Sequence, residues 1–135
     1  MAKTAEKKYF EAVGRRKSAV ARVRMTPASK NEVTVNDKKL EEAFAISELQ
    51  KEILSPLRAD GVVETYAVSV KVNGGGIASQ AEAIRLGIAR ILVGIDGNLR
   101  STLKKEGYLK RDPRKKERKK FGLRKARKSP QWSKR

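Results

Sequence analysis

Cysteine and histidine are both absent from this chain of 135 residues. Without cysteine there can be no disulfide, no thiolate metal site and no thiol nucleophile, and the chain is indifferent to redox compartment. Without histidine the commonest general base and the commonest transition-metal ligand are gone, together with every Ser-His or Cys-His arrangement. Aromatic residues are few: three Phe, three Tyr and one Trp. Long apolar runs are missing too. The N-terminal stretch MAKTAEKKYFEAV has no apolar run of signal-peptide length, and the most apolar segment, Ile84 to Ile95, is interrupted by Arg85 and Arg90. Nothing approaches the roughly 20 apolar residues of a membrane span, so a soluble, intracellular protein with no membrane partner is expected. The carboxylates that remain as catalytic candidates, such as Glu41, Glu42, Glu48 and Glu52, fall in solvated helical or loop contexts. No acidic pair precedes a phosphate-gripping element, so no enzyme activity, cofactor or bound metal is expected.

What the chain has in excess is positive charge, a formal +18, and it is unevenly placed. From Arg100 onward, 17 Lys and Arg stand against Glu106, Asp112 and Glu117, a net +14, while residues 1–99 carry +4. The last quarter, Lys110 to Arg135, offers only Phe121, Leu123 and Trp132 as bulky apolar groups. These are too few to offset the chain entropy of folding, and the cations repel one another unless a polyanion is present. Nucleic acid is the expected partner. The alternatives are a solvated flexible tail, or a general polycation for DNA or anionic membranes.

Three regions are expected: a flexible N-terminus over 1–8, one α+β domain over 9–109 and an extended basic tail over 110–135. Within the domain, a short strand is expected from Tyr9 to Val13, then a basic turn Gly14-Arg15-Arg16-Lys17. A second strand follows, in which Ala19, Ala21, Val23 and Met25 alternate with Val20, Arg22 and Arg24. Glu32 to Val35 predicts a third strand ending in the turn Asn36-Asp37-Lys38. Ser47-Glu48-Leu49-Gln50 reads as a capping box for a short helix that Pro56 limits. Val62 to Asn73 is the clearest strand, expected to be central, with Tyr66, Val68, Val70 and Val72 on one side. Gly74-Gly75-Gly76 leads directly into a long helix with Ile77, Ala81, Ile84, Ile88, Ile91, Leu92 and Ile95 on one face. A last short helix runs from Leu99 to Glu106, with Asn98 as cap and Gly107 past its end. The fold class is α+β: a mixed four-stranded sheet with helices on one face, in the order βββαβα.

Two elements of the domain are candidates for phosphate contact. The triple glycine lacks the Gly-Lys-Ser/Thr of a P-loop and the spacing of a dinucleotide motif. Its readings are a sharp turn with positive φ, a place where backbone N–H groups meet an RNA phosphate, and, as the enzyme alternative, the nucleotide site of a phosphotransferase. Arg15, Arg16 and Lys17, close to Arg22 and Arg24, concentrate five cations within ten residues, for RNA or as solvated charge. Phe121 and Trp132, set among cations, are suited to stack on bases.

Taken together, these stretches resemble the bacterial-type small-subunit ribosomal protein nine (S-nine) family. Gly74 to Gln80, continuing through Ala83, Gly87 and Arg90, resembles the family signature; Gly14 to Ala19 resembles its opening hairpin, Asp112 to Gly122 its tail motif, and Ser133-Lys134-Arg135 its terminus. Phe121 stands where a tyrosine is frequent. The resemblance implies a two-layer fold like the second domain of the fifth small-subunit protein, with a left-handed β-α-β crossover; general handedness alone favours a right-handed one. It implies a cytoplasmic protein of the ribosome, in the head of the small subunit, with 16S ribosomal RNA, P-site transfer RNA and neighbouring head proteins as partners, and no DNA. By the same resemblance Ser133, Lys134 and Arg135 approach the anticodon stem-loop. Ribosomal RNA contacts then fall to Arg15, Arg16, Lys17, Gly74, Gly75, Gly76 and Gln80 in the domain. In the tail they fall to Arg111, Arg114, Lys115, Lys116, Arg118, Lys119, Lys120, Arg124, Lys125, Arg127 and Lys128.

Overall fold

A computed structural model of the chain describes residues 9–115 and 117–131. Its sheet is built first from a hairpin, β1 (Phe10–Arg16) and β2 (Ala19–Pro27), paired antiparallel from Phe10 opposite Met25 to Arg16 opposite Ala19. The expected basic turn therefore moves. Gly14 to Arg16 belong to the strand, and the reversal falls on Lys17 and Ser18, with Lys17 at a φ of 52°. β3 (Glu32–Val35) is followed by Asn36 and Asp37, both at positive φ, which fold the chain back into a two-residue strand, β4 (Lys38–Lys39). That hairpin corrects the expected four strands to five, because the Asn-Asp pair forms the tight reversal that suits strand twist.

A four-residue helix α1 (Leu40–Ala43), helix α2 (Ser47–Leu54) and a 3-10 turn at Ser55–Arg58 lead to β5 (Tyr66–Asn73). Helix α3 (Ile77–Ile95) and helix α4 (Leu99–Lys105) complete the domain. Strand order is β1-β2-β5-β3-β4, so β5 is central as expected. It pairs antiparallel with β2 and parallel with β3, which makes the sheet mixed and the path through α1 and α2 a β-α-β crossover. Asn36 extends that parallel ladder by one rung: its side chain exchanges hydrogen bonds with the backbone of Val72, at 3.2 and 3.1 Å.

Alternation decides which face carries the helices. Ala19, Ala21, Val23 and Met25 of β2, and Tyr66, Val68, Val70 and Val72 of β5, are buried against the helical layer, together with Ile84, Ile88 and Leu92 of α3. Val20, Arg22 and Arg24 of β2, with Ser69 and Lys71 of β5, face outward. Phe44 and Ile53 seal the crossover, and Leu99 and Leu103 of α4 close the far end.

Three local expectations are corrected. No side chain caps α2; Gln50, the far half of the expected capping box, instead donates to the Phe44 carbonyl at 2.5 Å. Ile77 is 54% exposed and so does not belong to the buried face of α3. Asn98 occupies the N-cap of α4 without a side-chain hydrogen bond, its backbone already in the helical region. Gly107, at a φ of 79°, ends α4 as expected, and Tyr108 and Leu109 pack against the core.

Candidate nucleic-acid interface

Close backbone approach brings the hairpin and the glycine loop together at one end of the domain. Gly74 and Gly75 both have positive φ, at 75° and 69°. A Cβ on Gly74 would lie 2.6 Å from the Ser18 carbonyl oxygen, and one on Gly75 would lie 2.9 Å from the Ala19 Cβ. Both glycines are therefore demanded by the fold itself. Gly76 differs: its φ of −85° is ordinary and the space around it is open. It caps α3, whose first helical bond runs from the Gln80 N–H to the Gly76 carbonyl, leaving the N–H groups of the first turn without helical acceptors. Gln80 also donates a side-chain hydrogen bond to the Gly74 carbonyl at 3.1 Å, bracing the loop from behind. The resulting end presents Lys17, the open backbone around Gly76 and the partial positive charge of a 19-residue helix on one surface.

The arginines of β1 part company. Arg15 is exposed, opposite Val20 on the helix-free face. Arg16 points to the other side; its side chain is 12% exposed and pairs with Glu82 of α3 and with Asp112. Its side chain is thus engaged within the protein, because strand alternation sends neighbouring side chains to opposite faces. On the open face, Arg22 lies in register with Lys71, and Glu11 pairs with both Arg22 and Arg24. The hydrogen bond from Arg22 lowers the Glu11 carboxyl below its ordinary range. Arg24 also sits over the Tyr9 ring, 4.8 Å from its centroid. Lys71 was not among the candidates, although the alternation of β5 already turns it outward beside Arg22.

Beyond Leu109 the described residues form no helix or strand. Lys115, Arg118, Lys119, Arg124, Lys125 and Lys128 are exposed, as are Lys120 and Arg127, which share Glu117 at 2.9 and 2.8 Å. Arg111 hydrogen-bonds the Asp112 carbonyl, and Arg114 forks onto the Asp112 carboxylate. Phe121 is fully exposed, with no core to join. Lys116, Trp132, Ser133, Lys134 and Arg135 lie outside the described residues.

Geometry also joins two motifs that are distant in sequence. A Cβ on Gly14 would lie 1.7 Å from the Ala83 carbonyl oxygen and 2.7 Å from the Gly87 nitrogen, and one on Gly87 would meet the Val23 side chain at 2.6 Å. Arg90 reaches the Val13 carbonyl at 2.6 Å. The hairpin motif and the helix motif are thus two halves of one packing joint between β1 and α3. A family model described as ribosomal protein S9/S16 matches residues 14–135. The chain belongs to this family. It is accordingly a small-subunit ribosomal protein, with ribosomal RNA and ribosomal proteins as its partners, in a family whose role is structural. The α+β architecture with a mixed sheet agrees with that membership. Among the described residues, no helix is long and apolar enough to cross a membrane.

Proposed function

We propose that the domain, residues 9–109, docks on 16S ribosomal RNA in the head of the small subunit and that residues 110–135 extend as a basic arm to P-site transfer RNA. On this reading Lys17, Arg15 and the loop around Gly76 meet ribosomal RNA at one end of the domain. The arm's cations from Arg111 to Lys128 line a path over phosphates, and Ser133, Lys134 and Arg135 form the tip at the anticodon stem-loop. The work is non-catalytic and cytoplasmic. One observation carries the reading: the chain's excess charge lies on a segment whose described cations are almost all exposed and whose one described aromatic, Phe121, has no protein partner. Arginine supplies bidentate phosphate contacts and lysine point charges, a mixture that gives affinity with little sequence preference.

A salt titration of binding to a head-domain RNA fragment tests it. Neutralising roughly 6 to 10 phosphates gives a loss of about 10³ to 10⁵ in affinity between 50 and 200 mM salt; a nearly flat titration defeats the proposal. Deleting Lys134 and Arg135 separates the arm's tip from its shaft. Transfer-RNA affinity of assembled subunits should fall while incorporation of the protein is unchanged. Failed incorporation would make the tip an assembly anchor instead.

A further inference from the structure

The arm does not simply trail from the end of α4. Tyr108 packs against the core beneath the Arg85 guanidinium, 5.5 Å from its ring centroid, and Arg85 is itself held by Glu52 of α2 at 2.8 Å. Four residues on, Arg16 reaches out of β1 and takes three partners: the Glu82 carboxylate, the Asp112 carboxylate at 3.5 Å and the Arg114 carbonyl at 3.0 Å. Asp112 in turn accepts from the Arg114 backbone N–H at 2.9 Å and from its guanidinium. The root of the arm is therefore tied to α2 and α3 through Arg85 and to β1 and α3 through Arg16.

We propose that Arg16 is a positioning residue, a clasp that fixes where and in which direction the basic arm leaves the domain. A planar fork with five donors in fixed directions can hold two carboxylates and a carbonyl in one set geometry; a lysine's three donors share a single nitrogen at the end of a flexible stem. The Arg16 side chain is 12% exposed while Glu82 and Asp112 are 35% and 28% exposed, so these pairs are partly shielded from the screening that makes surface ion pairs weak. Holding the root in one direction lowers the ordering cost when the arm meets its target, which is how preorganisation raises affinity without adding a contact. The clasp is independent of what the arm binds; its effect on RNA affinity rests on the proposed function.

The chain has no cysteine, so two spin labels can be placed cleanly on the full-length protein, through Ser101→Cys in α4 and Lys115→Cys just past the clasp. The label distance distribution should be narrow with Arg16 in place and at least twofold broader with Arg16→Lys or Asp112→Asn. Arg16→Lys conserves charge, and Asp112→Asn lies outside every helix and strand, so one variant remains informative if the other fails to fold. Equal widths in all three proteins would overturn the clasp, whatever the arm binds. RNA binding supplies an opposed sign. If charge alone mattered, Asp112→Asn would tighten binding by removing an anion; the clasp predicts weakening by about three- to tenfold, with the salt slope unchanged because no phosphate contact is lost. Tighter binding, or a slope reduced by about one when Arg16→Gln removes the charge, would overturn it.

Discussion

The domain and the arm are held by different physics. In the domain, period-two burial in β2 and β5 and helical burial in α3 bring one apolar face to another, and the backbones of β1 and α3 approach closely enough to require Gly14 and Gly87. In the arm the bulky apolar groups that the structure describes, Phe121 and Leu123, build no core, and order comes from polar ties at the root and from carboxylates such as Glu117. Hydrophobic burial is non-directional and specified within the chain. A run of like charges specifies its own conformation poorly and takes it from a partner of opposite sign. The same chain thus specifies one region through its own burial and gives the other few contacts of its own.

The sharpest way to break that contrast is to strike the joint on which the domain depends. Gly14→Ala places a methyl group where the Ala83 carbonyl oxygen lies 1.7 Å away, and backbone cannot yield as a flexible side chain can. Separating β1 from α3 should cost about 3 kcal/mol or more, the upper end for overpacking, read as a lower midpoint in urea with an unchanged slope. The lesion should abolish RNA binding only where the domain unfolds. A Gly14→Ala protein of unaltered stability would show that the joint is looser than its distances.

The arm should answer in the opposite sense. Phe121→Ala removes a fully exposed ring and should leave the unfolding midpoint in place. If the ring stacks on a base, affinity for ribosomal RNA should fall by about 1–3 kcal/mol. Loss of stability with unchanged affinity would assign Phe121 to the domain and erase the distinction between the two regions.

The contrast also explains how much was legible before the structure. Alternation located β2 and β5, since one buried face imposes its period on the sequence, and the turn at Asn36-Asp37-Lys38 located β3. The spacing of Ile84, Ile88 and Leu92 located α3. β4 was hidden because two residues carry no period. The capping box at Ser47 misled because its motif describes a local option, and Gln50 had a better acceptor in the Phe44 carbonyl. Composition marked the interface as basic, yet it could not separate Arg15 from Arg16. Their opposite fates depend on β1 reaching Arg16, and on Glu82 and Asp112 arriving from residues far along the chain. Glu11, which offsets Arg22 and Arg24, was likewise invisible as a partner until β1 and β2 were in register.

The smallest predicted effect sharpens the comparison through pH, because one carboxylate at the arm's root and one in the domain are displaced in opposite directions. The Asp112 carboxyl is held well below its ordinary 3.8, first by the side-chain and backbone hydrogen bonds from Arg114, with Arg16 adding attraction. The Glu52 carboxyl is raised above its ordinary 4.5 by burial, which outweighs the attraction of Arg85. For Asp112, depressed in the folded chain, the stabilising contribution is complete above the unfolded value and is lost only as pH falls through the lower folded value. For Glu52 the sign reverses: its contribution is complete below the unfolded value and is lost as pH rises through the folded one. Acidification from neutrality to about pH 4 should therefore protonate Glu52 while the clasp at Asp112 stays ionised. Carboxyl carbon shifts across a titration check the order, with the Glu52 midpoint above 4.5 and the Asp112 midpoint below 3.8. An Asp112 midpoint at or above its ordinary value would mean that its forked contact with Arg114 does not persist in solution, and the root of the arm would then lose one of the ties that orient it.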